Sequence, residues 1–124
     1  MKVKVIENCG NSPKQHLLKE VNIAFAAGNV EFLLAHVTED IIWTIVGDKT
    51  IVGKQKFHEA LQEMKSYKTS EVIIDKILTH GKEGAANGIM KMESGNSYAF
   101  ADFYEFSSAK GVKIKAISSY VVEI

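Results

Sequence analysis

The chain has 124 residues, 46% of them hydrophobic and 24% charged, with 15 basic residues balancing 15 acidic ones. That is the size and composition of one globular domain (residues 1–124) with a full apolar core. Zero net charge supplies no field to gather a polyanion, and every basic residue is a lysine, so the guanidinium fork used to grip phosphate and guanine is missing. No nucleic-acid partner is therefore expected. No membrane partner is expected either, because no segment approaches the roughly 18 apolar residues of a membrane span. The single cysteine, Cys9, rules out an internal disulfide; it reads as an incidental thiol and fits a reducing, cytoplasmic setting. The opening MKVKVIENCG lacks the apolar run of a signal peptide.

In chain order, NSPKQHLLKEVNIAFAAGN reads as a helix with both ends marked. Ser12 caps it, Pro13 suits its first position, Gln15 completes a capping box, and Gly28 stops it. Leu17, Leu18, Val21, Ala24 and Phe25 fall at helical spacing, leaving Lys14, Lys19, Glu20 and Asn22 toward water. Asn29 caps a shorter helix through VEFLLAHV. EDIIWTIVG is a β-branched strand, TIVG a short extended piece, and KQKFHEALQEMKS a third helix burying Phe57, Ala60, Leu61 and Met64. Four long strands follow: SEVIIDKILTHG, GAANGIMKM, NSYAFADFYEF and VKIKAISSYVVEI. Gly88 marks close packing or a bulge. Hairpin loops at ESGNS and SSAKG make this meander antiparallel, with the helices on one face. The expected fold is α+β: a cone-shaped roll of three helices on a curved, mainly antiparallel sheet, with its open end a candidate pocket.

The segments AFAAGNVEFLLAHVTEDIIWTIVG and IVGKQKFHEAL, together with ADFYEF and GVKIKAISSY, resemble the nuclear-transport-factor-2-like superfamily and its small SnoaL-like members. The resemblance implies that fold over nearly the whole chain. It also implies a choice among isomerases, cyclases, dehydratases, hydrolases and non-catalytic binders, which fold alone does not decide. Steroid-isomerase-like members carry a carboxylate base late in the first strand, where this chain has Ile45. They carry a tyrosine on the first helix, where it has Val21, and a second acid on the penultimate strand, which matches Asp102. Epoxide-hydrolase-like members require an arginine, which this chain lacks.

Asp102 is the residue that poses the question. With a period of two it shares a strand face with Tyr98, Phe100, Tyr104 and Phe106, and the resemblance turns that face toward the helices. If Lys113 and Lys115 point outward on the last strand, Ile114, Ala116, Ser118 and Tyr120 join the interior, as do Ile41, Trp43 and Ile45 from the first long strand and Phe57 from the third helix. The candidate ligand-binding set is Trp43, Ile45, Phe57, Phe100, Asp102, Tyr104 and Tyr120. It suits a hydrophobic or aromatic small molecule held by stacking and one or two hydrogen bonds.

A carboxylate there should have a raised pKa and could hold a ligand or, as the one candidate catalytic residue, exchange protons as acid or base. It could equally be a core polar group bonded to Tyr120 or another hydroxyl. A binder of unassigned role leads, and a SnoaL-like cyclase or ketosteroid-isomerase-like enzyme using Asp102 is the alternative. No metal or other cofactor is expected: His16, His36, His58 and His80 lack ligand-pair spacing, and GAANGIMKM is not a phosphate loop. EVIIDKIL is apolar on both faces, reading as Ile73 and Ile77 on one side and Ile74 and Leu78 on the other. A homodimer through the outer sheet face is therefore expected.

Overall fold

The computed structural model describes residues 1–6, 12–108 and 113–124. Cys9 and most of the SSAKG loop lie outside the described residues. A short strand β1 (Lys2–Val5) is followed by helices α1 (Pro13–Ala27) and α2 (Val30–Ala35), strands β2 (Val37–Ile45) and β3 (Lys49–Val52), and helix α3 (Lys54–Met64). Strands β4 (Thr69–His80), β5 (Glu83–Met92), β6 (Ser97–Phe106) and β7 (Ile114–Glu123) complete the chain. The seven strands form one sheet in the order β1-β4-β5-β6-β7-β2-β3. Its pairings are antiparallel except β1 with β4 and β2 with β7. This is the expected α+β roll. Among the described residues no helix is long and apolar enough to cross a membrane.

Local chemistry accounts for the helices. Ser12 Oγ accepts from the Gln15 N–H at 3.1 Å while Gln15 Oε1 accepts from the Ser12 N–H at 3.3 Å, so the first turn's donors are satisfied reciprocally. Gly28 closes α1 at φ 71°, a left-handed conformation costly for any residue with a Cβ. Asn29 Oδ1 then caps α2 by accepting from the Phe32 N–H at 3.2 Å. Strand β1 was not among the expected elements. All four of its residues are exposed and Lys2 and Lys4 mask any apolar pattern, so its backbone pairing with β4 defines it.

Two of the sheet's irregularities reset which side chains face inward at positions that matter for the site and the outer face. On β4 the register steps from Ile74 to Lys76, leaving Asp75 unopposed. Ile74 and Ile77 therefore both turn inward and are buried, while Leu78 is exposed and Ile73 only half-buried. The strict alternation that grouped Ile73 with Ile77 and Ile74 with Leu78 is corrected by this bulge, although both faces remain apolar. On β7, Phe106 pairs with Ile114 but Glu105 pairs with Ala116, so Lys115 is the extra residue. From there on the phase flips: Ile117 and Ser119 are buried, and Tyr120 is 46% exposed on the outer face. Ser118 and Ala116 share that outer face, opposite Phe103 and Glu105. The expectation that Tyr120 enters the interior is overturned.

Gly88 is needed for close approach. A Cβ there would lie 2.0 Å from the Ile73 carbonyl oxygen and 3.0 Å from Phe100 Cζ. The bulge itself is on β4, across from Gly88, where the two backbones crowd. The core between sheet and helices is built on Leu18, Val21, Ile41, Phe57, Ile74 and Phe106, all essentially inaccessible to solvent.

Candidate functional site

Asp102 lies on β6 between Ala86 of β5 and Ser119 of β7, its direct cross-strand neighbours. Side chains of directly opposed residues share a face, so the carboxyl and the Ser119 hydroxyl meet on the interior side. Ser119 is buried there because the bulge at Lys115 put it there. Trp43, the inward residue of β2, donates its Nε1–H to Ser119 Oγ at 2.9 Å. The serine hydroxyl keeps its own proton free to donate, and its interaction with the neighbouring Asp102 favours the ionised carboxylate. From the other side Tyr104 donates its hydroxyl to Asp102 Oδ2 at 3.3 Å. The Tyr104 oxygen in turn accepts from Asn22 Nδ2 at 3.1 Å, and the same amide donates to the Leu18 carbonyl at 2.7 Å. Two chains of neutral donors therefore converge on one carboxylate.

Burial pushes the Asp102 carboxyl up from 3.8 to about 6, against the opposing pull of the Ser119 and Tyr104 hydrogen bonds. Burial also raises the Tyr104 phenol well above its usual value, assisted by the neighbouring Asp102 charge. No lysine or histidine forms an ion pair with Asp102 among the described residues. The carboxylate retains some contact with solvent, being half-buried rather than sealed.

Aromatic rings surround this network. Phe25 from α1, Trp43 from β2 and Phe57 from α3 pack as a triangle, with centroids 5.4 Å apart for Phe25–Trp43, 5.6 Å for Trp43–Phe57 and 6.4 Å for Phe25–Phe57. Phe100 and Tyr104, two residues to either side of Asp102, are buried on the same strand face. Beyond them a cleft of about 870 Å³ opens where α1 and α3 end against the β5–β6 hairpin. Its walls are mostly apolar, with Leu33, Leu61, Met64, Met90 and Met92 prominent, and Lys65, Lys68 and Glu93 stand among its polar residues. Phe25 belongs to both regions, since it lines the cleft and packs on Trp43 and Phe57. Val121, on the cleft wall, pairs with Phe100, so Asp102 and Ser119 lie two residues, about 7 Å, further along the same two strands.

Of the residues singled out from the sequence, Trp43, Ile45, Phe57, Phe100, Asp102 and Tyr104 occupy the interior, whereas Tyr120 stacks edge-on against Phe103 at 5.9 Å on the opposite face of the sheet. The interior six lie deeper than the cleft lining. The rings fill the space among themselves, and the open volume falls toward the methionine-rich mouth. Two site residues escaped the sequence reading. Asn22 was assigned to water but is only 4% exposed; its spacing of four from Leu18 and three from Phe25 was the available signal. Ser119 was hidden by the bulge. Among the described residues no group of histidine, cysteine, aspartate and glutamate could hold a metal ion. His36 is used locally, with Nδ1 2.7 Å from the Phe32 carbonyl and its ring stacked on Phe32.

Helices packed on a strongly wrapped sheet, with an acid among rings on the inner wall, define a pocket-bearing α+β roll of the nuclear-transport-factor-2-like class. The SnoaL-like domain model matches residues 18–117, and the chain belongs to that family. Solved structures agree. A nuclear-transport-factor-2-like protein of unknown function from Cytophaga hutchinsonii is 18% identical, with TM-score 0.69 over 88% of this chain and 99% of that one. An epoxide hydrolase of the LEH-like type from M. tuberculosis is 15% identical, with TM-score 0.71 over 86% and 80% of the two chains. A putative ketosteroid isomerase from Kribbella flavida is 14% identical, with TM-score 0.72 over 88% and 77%. At these identities the likeness establishes the fold alone. No curated protein matches the chain.

Proposed function

We propose that this protein binds a hydrophobic or aromatic small molecule in the interior of the roll, with Asp102 anchoring the ligand's polar group. The reading is supported by a half-buried carboxylate on an aromatic wall, two residues along β6 from the strand pair that borders an apolar cleft of about 870 Å³. Such a site supplies contact area from rings and methionines and direction from a single polar group. Trp43 is the only tryptophan in the chain and is bonded to Ser119, so its emission reports on the site directly. Titration with apolar aromatic compounds is expected to give a saturable change in Trp43 fluorescence. An unchanging spectrum across such a set, with the fold intact by circular dichroism, contradicts the proposal.

The carboxyl titrating near 6 favours a second reading, in which the protein is an enzyme. An acid exchanging its proton close to neutrality can take a proton from carbon beside a ketone and return it elsewhere on the same molecule, for about 10²–10⁴-fold acceleration. Ile45 and Val21 occupy the positions where steroid-isomerase-like relatives keep a base and an oxyanion donor, so Asp102 would act with Tyr104 and Ser119 alone. Turnover of an activated ketone that disappears in Asp102→Asn supports the enzyme; binding without turnover in the unaltered protein supports the binder.

The same proposal includes a homodimer through the outer face of the sheet. Phe103, 56% exposed, and Tyr120 form an aromatic pair there, next to Val122 and the small residues Ala99 and Ala101. The Lys115–Glu105 ion pair at 3.3 Å borders this patch. An apolar face centred on rings and rimmed by charges is the composition of a subunit contact. Sedimentation at micromolar concentration is expected to give twice the chain mass of 13.7 kDa; a monomer contradicts this part.

A further inference from the structure

We infer that the cleft between the ends of α1 and α3 and the β5–β6 hairpin is a site for a flexible, unbranched hydrocarbon chain with an uncharged polar end, such as a fatty alcohol or ester. This rests on the reading that the protein binds a hydrophobic small molecule, but it uses no residue of the Asp102 network. The first ground is the distribution of methionine. The chain has four, Met1, Met64, Met90 and Met92, and all four line this one cleft. Leu33 and Leu61, both buried, give it a firm apolar base, whereas Met64 is 40% exposed and Met90 and Met92 are half-buried. An unbranched thioether turns about several bonds, so it refits its surface to a chain that can itself bend. The rings contribute less here. Trp43 and Phe57 are not in the lining, Phe25 is already packed against both, and Tyr67 is 73% exposed.

The second ground is size and charge. The volume of about 870 Å³ lies within the range of roughly 300–1,000 Å³ that encloses one small molecule, and a concavity of that size does not fit the broad face of a folded partner. The charged side chains of the lining are Lys65, Lys68 and Glu93, all exposed. Glu93 stands beside Lys68, its N–H donating to the Lys68 carbonyl at 2.9 Å. The Lys65 stem passes Gly28, with Cγ 3.5 Å from where a Cβ would stand, at the C-terminal end of α1 where the helix carries partial negative charge. Two lysines against one glutamate leave a formal surplus of one positive charge. Each lysine nevertheless has negative charge close by, and all three groups are screened by water, so the sign of a ligand's head is weakly selected. Selection falls to the hydrocarbon.

The test follows the methionine methyl carbon-13 signals of the full chain, which report on the cleft without altering it, as alcohols are titrated in. Hexanol, octanol and decanol are expected to shift the Met64, Met90 and Met92 signals together, with affinity rising about fourfold per added methylene. Decanol should bind about tenfold more tightly than adamantanol, a rigid cage of the same carbon count, a margin equal to the contact of roughly two methylenes. Decanoate and decylammonium should match decanol within about threefold. Met64→Gln keeps the side chain's length and helix propensity but makes the wall polar, and it should weaken decanol by about fivefold. Decanol binding that leaves those signals in place, adamantanol binding as tightly as decanol, a charged head preferred by about tenfold, or indifference to Met64→Gln each overturns the inference while leaving the reading of a hydrophobic ligand in place. Failure of decanol and adamantanol alike, with Trp43 emission insensitive to apolar aromatics, removes both this inference and the binding proposal beneath it.

Discussion

Replacing Asp102 by asparagine should stabilise the protein at neutral pH and flatten its pH dependence. The native carboxyl titrates at about 6 in place of 3.8 because burial disfavours its charge. A rise of that size, at about 1.4 kcal/mol per pH unit, costs the folded state about 3 kcal/mol once the group is ionised. The sign comes from proton counting. Between the two values the folded protein holds a proton that the unfolded chain has released, so stability falls as pH rises from about 4 to above 6. Asparagine keeps the shape and removes the charge, but its amide meets hydroxyls already arranged as donors, which costs about 1 kcal/mol. The net gain at pH 8 is therefore about 1–2 kcal/mol, or about 4–8 °C in Tm for a chain of this size. Urea denaturation of both proteins at intervals from pH 4 to pH 8 reads this directly, because all other titrating groups cancel in the difference. The unaltered protein should be the more stable at pH 4 and the less stable at pH 8. Parallel curves over that range would refute the placement of an uncompensated charge in the interior.

Other expectations rest on single contacts. Ser119→Ala removes one of the two hydrogen bonds that favour the ionised form, so the Asp102 midpoint should move above 6, by about one pH unit, in a carbon-13 titration. A midpoint that stays put would show that Trp43 and Ser119 do not act on the carboxylate. Gly88→Ala forces a Cβ to 2.0 Å from the Ile73 carbonyl oxygen, backbone that cannot step aside, so a loss of about 3 kcal/mol or more is expected in thermal denaturation. Phe103→Glu places a charge in the outer apolar patch and should shift a dimer to monomer in sedimentation while leaving Trp43 emission unchanged.

Most of the architecture was legible in the sequence because its signals are local. Ser12, Pro13 and Gln15 start α1, Gly28 ends it, and the hairpin loops order the meander whatever the tertiary context. The inward faces of β2 and β6 were also legible, since alternation holds through Ile41, Trp43 and Ile45 and through Phe100, Asp102 and Tyr104. The reading failed where a bulge inserted one residue. Asp75 on β4 and Lys115 on β7 each reverse the phase of the strand residues beyond them, and nothing in the composition of DKIL or VKIKAI announces it. Tyr120 was lost from the interior and Ser119 gained by that single extra residue. Asn22 is obscured for a different reason: its polarity points to solvent, whereas its spacing from Leu18 and Phe25 puts it on the buried face. The displacement of the open cleft toward Met64, Met90 and Met92 depends on how Phe25, Trp43 and Phe57 pack on one another, a tertiary fact with no linear signature.

The direct test is a carbon-13 pH titration of the Asp102 carboxyl carbon in the full chain. A midpoint near 6 is the expected result, since burial without a counter-charge disfavours the ionised form. A midpoint at or below 4 would contradict the account of a buried, unpaired carboxylate on the inner wall of the roll.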